Sequence, residues 1–214
     1  MKRSRKETAW KKSRTFGDIK GGRLRPKLAD NIFNRQHNLL IPDKNDETPI
    51  YIVDNPSRDY FFPITVDDIE YTISKLPAFH TEKITHIWLK KNSPKENYQG
   101  CFITGSGVNL IVLYAFPVDL KMRFGIKKPS QKILRWYSAF HPNLVLENEE
   151  WALQWSKESI KQYYLEGLLL HEIGHQIDSR HKRFMSKKYQ NRKAEKYADN
   201  FAYYWADQIR NEIE

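Results

Sequence analysis

Apolar positions along the chain change period several times, and each change predicts an element. Ile50-Tyr51-Ile52-Val53 is a short apolar run stopped by Asn55-Pro56, the pattern of a strand entering a turn. Ile69, Ile73 and Leu76 recur at helical spacing until Pro77, behind a Thr65/Asp68 pair spaced like a helix cap. Ile84 to Leu89 reads as another strand. Tyr98–Thr104 and Val108–Phe116 flank Gly105-Ser106-Gly107 and predict a β-hairpin closed by a tight glycine turn. Trp151, Leu153 and Trp155 alternate as a further strand would, whereas Pro129–Tyr137 fits neither period.

A long helix is expected from about Ser159 to Ile177, with Ile160, Tyr164, Leu168, Leu169, Ile173 and Ile177 on its buried side. A basic connection, Ser179–Lys193, then leads to a closing helix from Ala194 to about Ile209. Residues 1–48 carry no sustained pattern beyond a weak apolar stretch near Leu28–Leu40. Gly21-Gly22, Pro26 and the polar run Pro42–Glu47 break them up. Helix, then strands, then two further helices is the order of an α+β domain, placed at 49–214 behind a largely irregular arm and linker at 1–48.

Charge sharpens that division. The chain of 214 residues has a formal charge of +10, and residues 1–30 alone hold eleven Lys/Arg against three acidic residues. The basicity belongs to the arm, which could touch nucleic acid or another anionic partner, or act as a solvated tail. A single cysteine, Cys101, excludes an internal disulfide and a cysteine-built zinc cage. With no apolar run long enough for a membrane span and no signal-peptide stretch, a cytoplasmic location is the simplest expectation.

The chemistry is concentrated in His171-Glu172-Ile173-Gly174-His175. Residues four apart on a helix lie about 40° apart around its axis, so His171 and His175 project side by side and can ligate one metal ion. Glu172, rotated by about 100°, can stand beside the metal and take a proton from its water. Gly174 lacks a side chain and lets a second backbone come close. The apolar approach Leu168-Leu169-Leu170 suits a buried active-site helix better than a surface one.

A catalytic zinc ion takes three protein ligands, and two residues compete for the third place. His181 gives His171-Glu-x-x-His175-x-x-Asp178-x-x-His181, which has metzincin spacing with Asp178 at the usual glycine. His181-Lys-Arg-Phe184 also loosely resembles the third-histidine segment of the DNA–protein-crosslink proteases. Glu195 lies in Ala194-Glu195-Lys196-Tyr197-Ala198-Asp199-Asn200-Phe201-Ala202. There Glu195 and Asp199 share one helix face with small Ala198 and Ala202, so Glu195 could bind the metal while Asp199 orients a ligand histidine. Asp178, about 20° from the His171 direction, could be another orienting group or a helix-end residue.

Taken with the upstream motif, the Glu195-x-x-Ala198-Asp199-x-Phe201-Ala202 segment resembles the gluzincins. It looks most like their repressor-cleaving intracellular peptidases and lethal-factor-type toxin peptidases. The resemblance covers roughly residues 160–206. It implies a zincin-like metallopeptidase domain with a mixed sheet, one zinc ion per chain on His171, His175 and Glu195, and Glu172 as general base acting on zinc-bound water. The implied substrate is a protein or peptide, held as an extra strand on a sheet edge, for which the Tyr98–Phe116 hairpin is the candidate. Tyr189 and Tyr203 are candidate oxyanion donors, as is His181 if it is not a ligand. Two other readings stay open: a DNA-associated protease using His181, and a non-enzymatic zinc-binding interaction module.

Overall fold

The computed structural model describes residues 18–20, 39–91, 98–178 and 187–211, with the backbone alone for 18–20 and 187–192. Its strands are β1 (Asp18–Lys20), β2 (Ile50–Val53), β3 (Tyr60–Phe61), β4 (His86–Lys90), β5 (Gly100–Gly105), β6 (Val108–Tyr114), β7 (Phe116–Pro117), β8 (Lys121–Gly125), β9 (Asn143–Glu147) and β10 (Glu150–Gln154). Its helices are α1 (Val66–Ser74), α2 (Ala78–Thr81), α3 (Gln131–Ser138), α4 (Lys157–Gln162), α5 (Leu170–Asp178) and α6 (Lys187–Asn211). The π-helical segment Tyr163–Leu169 joins α4 to α5.

A mixed five-stranded sheet in the order β1-β2-β4-β6-β5 forms the frame. The β2, β4 and β6 strands run parallel, while β1 and β5 pair antiparallel at the two edges. Thus Asp18–Lys20, within the basic arm, pairs with Tyr51–Val53 of the sheet. β6 reads as an almost unbroken apolar run because both of its faces are buried. Val108, Leu110, Val112 and Tyr114 join Ile52 and Leu39 on one side, while Ile111 and Leu113 enter the main core under the helices. The β5–β6 hairpin turns on Ser106 and Gly107, with φ of 50° and 77°, the left-handed pair that a two-residue turn needs.

The capping pair at α1 is reciprocal: Thr65 Oγ1 accepts from the Asp68 amide at 3.2 Å, and Asp68 Oδ2 accepts from the Thr65 amide at 2.9 Å. Ser156 and Ser159 make the same box at the start of α4, two residues before the expected helix. Two helix boundaries differ from expectation in a larger way. Pro129–Tyr137 resolves into α3 behind the Ser130 cap. α6 begins at Lys187 rather than Ala194, so part of the expected basic connection is helical. Three short antiparallel strands, β8, β10 and β9, make a second sheet, of which the alternation at Trp151–Trp155 marks only β10.

The motif helix is the central core element. Ile160, Tyr164, Leu169, Leu170 and Ile173 are fully buried, each contributing on the order of 1.5–3 kcal/mol. Tyr164 donates to the carbonyl of Tyr114 at 2.7 Å, locking the helix onto the end of β6. α6 packs along α5 through small residues: a Cβ on Gly174 would lie 2.8 Å from the Cα of Ala198. That contact brings the segments carrying His171, His175 and Glu195 together. No helix among the described residues is long and apolar enough to cross a membrane.

Candidate metal centre

His171 and His175 sit one turn apart on α5, with ring centroids 4.6 Å apart and planes nearly perpendicular. Glu195 reaches them from α6 because Gly174 and Ala198 allow the helices to touch. Its Oε2 is 3.5 Å from His171 Nε2, and its Oε1 is 3.5 Å from His175 Nε2. Ligand atoms of these three residues all lie within 4.8 Å of one another.

That spacing decides what the cluster suits. A direct charged hydrogen bond would close to about 2.7–3.2 Å. Two ligand atoms each about 2.0–2.2 Å from a tetrahedral ion stand roughly 3.3–3.5 Å apart. Each imidazole Nε2 stands at that second distance from a carboxylate oxygen, His171 from Oε2 and His175 from Oε1. The residues fit a metal ion, and His/His/carboxylate is a donor set for zinc with one position left open. His171 and His175 are largely enclosed, whereas the Glu195 side chain is 63% exposed, so the opening lies on the α6 side of the cleft.

Asp199 stands behind this cluster. Its Oδ1 lies 3.0 Å from His171 Nδ1, close enough to hold the ring, although the ring N–H is angled off the oxygen. Burial alone would lower the His171 pKa, but Asp199, Glu195 and Glu172 outweigh it and push it up to about 9. A dication at the site reverses this balance by requiring the neutral ring.

Glu172, next to His171 on α5, is 5% exposed and lines the same cleft as the three clustered residues. Burial pushes its pKa up to about 7, opposed by the His171 charge, raised further by Glu195, and lowered by the Phe102 amide that donates to it. The Phe102 bond links the acid to β5. Antiparallel pairing sends the N–H and C=O of alternate residues on an edge strand away from its neighbour. Phe102 is one of these outward residues, so Gly100 and Thr104, two positions to either side, share its direction.

The cleft, about 900 Å³, lies between the β5 edge and α3, and His171, His175, Glu195, Glu172 and Asp199 line it. Tyr98 and Cys101 line it from the β5 side. The Tyr98 hydroxyl is kept protonated by burial, by Cys101 and by the charges of Glu172 and Glu195. On the opposite wall, the Trp136 ring stands edge-on to His171 at 5.8 Å.

The remaining residues singled out in the sequence are dispersed. Asp178 ends α5 and is not among the described residues lining the cleft. Tyr203, one turn beyond Asp199, packs edge-on against Trp136 at 5.4 Å and lines a smaller neighbouring cavity. Tyr189 lies on α6 where only the backbone is described, and His181 lies outside the described residues. Trp136 and Tyr137 carried no functional signal in the sequence. Ser130 followed by Ile133, Leu134 and Tyr137 at helical spacing was the available cue for α3.

Comparison with protein-family models, with curated proteins and with solved structures finds no match to this chain.

Proposed function

We propose that this chain is a zinc-dependent metallopeptidase that hydrolyses peptide bonds in the cleft between β5 and α3. One observation carries the reading: a buried carboxylic acid, Glu172, adjoins a three-residue metal cluster that opens onto a large cleft. A structural metal site has four protein ligands and no use for such an acid. Zinc, when bound, supplies a lowered pKa for a coordinated water and a Lewis acid for the scissile carbonyl.

The protein's own groups divide the remaining work. Glu172 takes the proton of the attacking water and returns it to the leaving amine, with the Phe102 amide holding the carboxylate in place. Asp199 limits rotation of the His171 ring. The outward N–H and C=O groups of Gly100, Phe102 and Thr104 offer main-chain partners to an extended peptide lying along β5, which forms the sheet edge. The Phe102 amide is already committed to Glu172, so its carbonyl is the group left for the substrate.

The deciding experiment compares wild type with Glu172→Gln for zinc content and for cleavage of an unstructured protein such as casein. The expected result is full zinc retention with hydrolysis reduced by about a hundredfold or more. Equal hydrolysis by both proteins would overturn the assignment. Zinc binding without hydrolysis by the wild type on a broad peptide library would favour a zinc-binding interaction module instead.

A further inference from the structure

Beside His171 the cleft is bounded by the π-helical segment and α3, which form a chamber. Its floor is Tyr163, Gly167 and Leu168 of the π-helical segment, and its wall is Ile133, Trp136 and Tyr137 of α3. The wider i→i+5 turn of a π-helix keeps Tyr163, Gly167 and Leu168 on one face, where a regular α-helix would turn Leu168 away. Gly167 has no room for a side chain, since a Cβ there would meet Phe140 at 2.8 Å and Tyr163 at 2.9 Å. The start of β5 rests on the same floor, because a Cβ on Gly100 would lie 3.0 Å from Leu168.

The two hydroxyls of the chamber are already used. The Tyr137 and Tyr163 hydroxyls bond to each other. Among the described residues, the carboxylates lining the cleft are Glu172, Glu195 and Asp199 of the metal centre, and its one Lys is Lys132. A charged side chain entering the chamber would lose its water, and neither the floor nor the Ile133, Trp136 and Tyr137 wall carries a charge to pair with it. A large apolar side chain would bury most of its surface against aromatic rings.

We infer that this α3/π-helix chamber selects the substrate, admitting a bulky apolar residue such as Phe or Leu next to the scissile bond. Trp136 and Ile133 are its specificity-determining side chains. The inference rests on the metallopeptidase reading, and the two can fail separately.

The test uses zinc-loaded Glu172→Gln protein and short peptide hydroxamates that differ only in the side chain beside the hydroxamate: Phe, Leu, Gly, Asp or Lys. Binding is read by calorimetry. Phe and Leu should bind about tenfold to a hundredfold tighter than Gly, with Asp and Lys no better than Gly. Ile133→Glu, a change at a position 39% exposed and so safe for folding, should erase most of that preference and improve Lys. Trp136→Ala should weaken Phe more than Leu. In parallel, the wild type is profiled on a peptide library by mass spectrometry.

Equal affinity across the side chains, or tighter binding of Asp, would overturn the chamber assignment even if the library were cleaved. An apolar ranking that Ile133→Glu leaves intact would overturn it as well. The expected ranking with no cleavage by the wild type would support the chamber and sink the peptidase reading.

Discussion

Gly174→Ala is the smallest change that tests how the metal centre is assembled. The added Cβ would lie 2.8 Å from the Cα of Ala198 and 3.2 Å from the Cβ atoms of Ala198 and Phe201. Ordinary carbon contacts begin at 3.4 Å, so α5 and α6 must part by about 0.6 Å or more. For stability, two effects oppose each other. Overpacking costs about 1–3 kcal/mol, while replacing glycine inside a helix returns about 1 kcal/mol. The fold should therefore lose at most about 2 kcal/mol and remain intact by circular dichroism. Zinc is less forgiving, because ligand distances hold to within about 0.2 Å. The variant should bind zinc at least tenfold more weakly, measured by competition with a chromophoric chelator, while melting within several degrees of wild type in EDTA. Adding Ala198→Gly should not restore affinity, since the nearest obstacle is backbone. Wild-type zinc affinity in Gly174→Ala would refute the close-approach argument.

Further predictions concern the ligands and their protonation. Glu195→Ala should reduce bound zinc to well below one equivalent by atomic absorption, and full retention would remove Glu195 from the ligand set. Asp199→Asn should keep the fold but weaken zinc binding by about 10–100-fold, as loss of a ring-orienting carboxylate does. Zinc uptake should depend on pH because His171, with a metal-free pKa of about 9, must shed its proton to bind. Apparent affinity should rise about tenfold per pH unit from pH 7 and level off near pH 9; a flat profile over that range would contradict the charge arrangement. For the metal-free protein the sign is opposite. His171 is raised above its ordinary value of 6.5, so its contribution to stability is complete below that pH and is lost as pH rises through about 9.

The parts of this molecule that were legible in the sequence are those whose geometry is local. Histidines four apart and Glu195/Asp199 four apart on a second helix define faces by helical period alone, and the alanine strip suggested that the faces meet. The β5–β6 hairpin was legible because Ser106-Gly107 is a recognisable left-handed turn. The β9–β10 hairpin was not, because its turn uses Asn148 and Glu149 at φ of 47° and 66° with no glycine to mark it. The first turns of α6, Lys-Lys-Tyr-Gln-Asn-Arg-Lys, carry no apolar period, so the helix announces itself only where Ala194 begins to pack. The π-helical stretch Tyr-Tyr-Leu-Glu-Gly-Leu-Leu is apolar on nearly every side, and such a run does not distinguish a wider turn from a regular one. The α3 wall of the cleft is a tertiary fact: Trp136 reaches His171 from 35 positions away in the chain.

The 3.5 Å stand-off of Glu195 from both histidines also bears on how the chain is tied together. With one cysteine in 214 residues, the protein has no covalent cross-link of its own. An ion held by His175 and Glu195 would clasp two helices across a loop of 20 residues. In loop-closure terms that resembles a disulfide worth about 3 kcal/mol, but one that a chelator can open. The atoms of the proposed metal centre would then also serve as a fastener. Metal supply would govern how firmly α6 is held to the rest of the fold, and limited proteolysis with and without EDTA should find its cuts in α6 when the clasp is open.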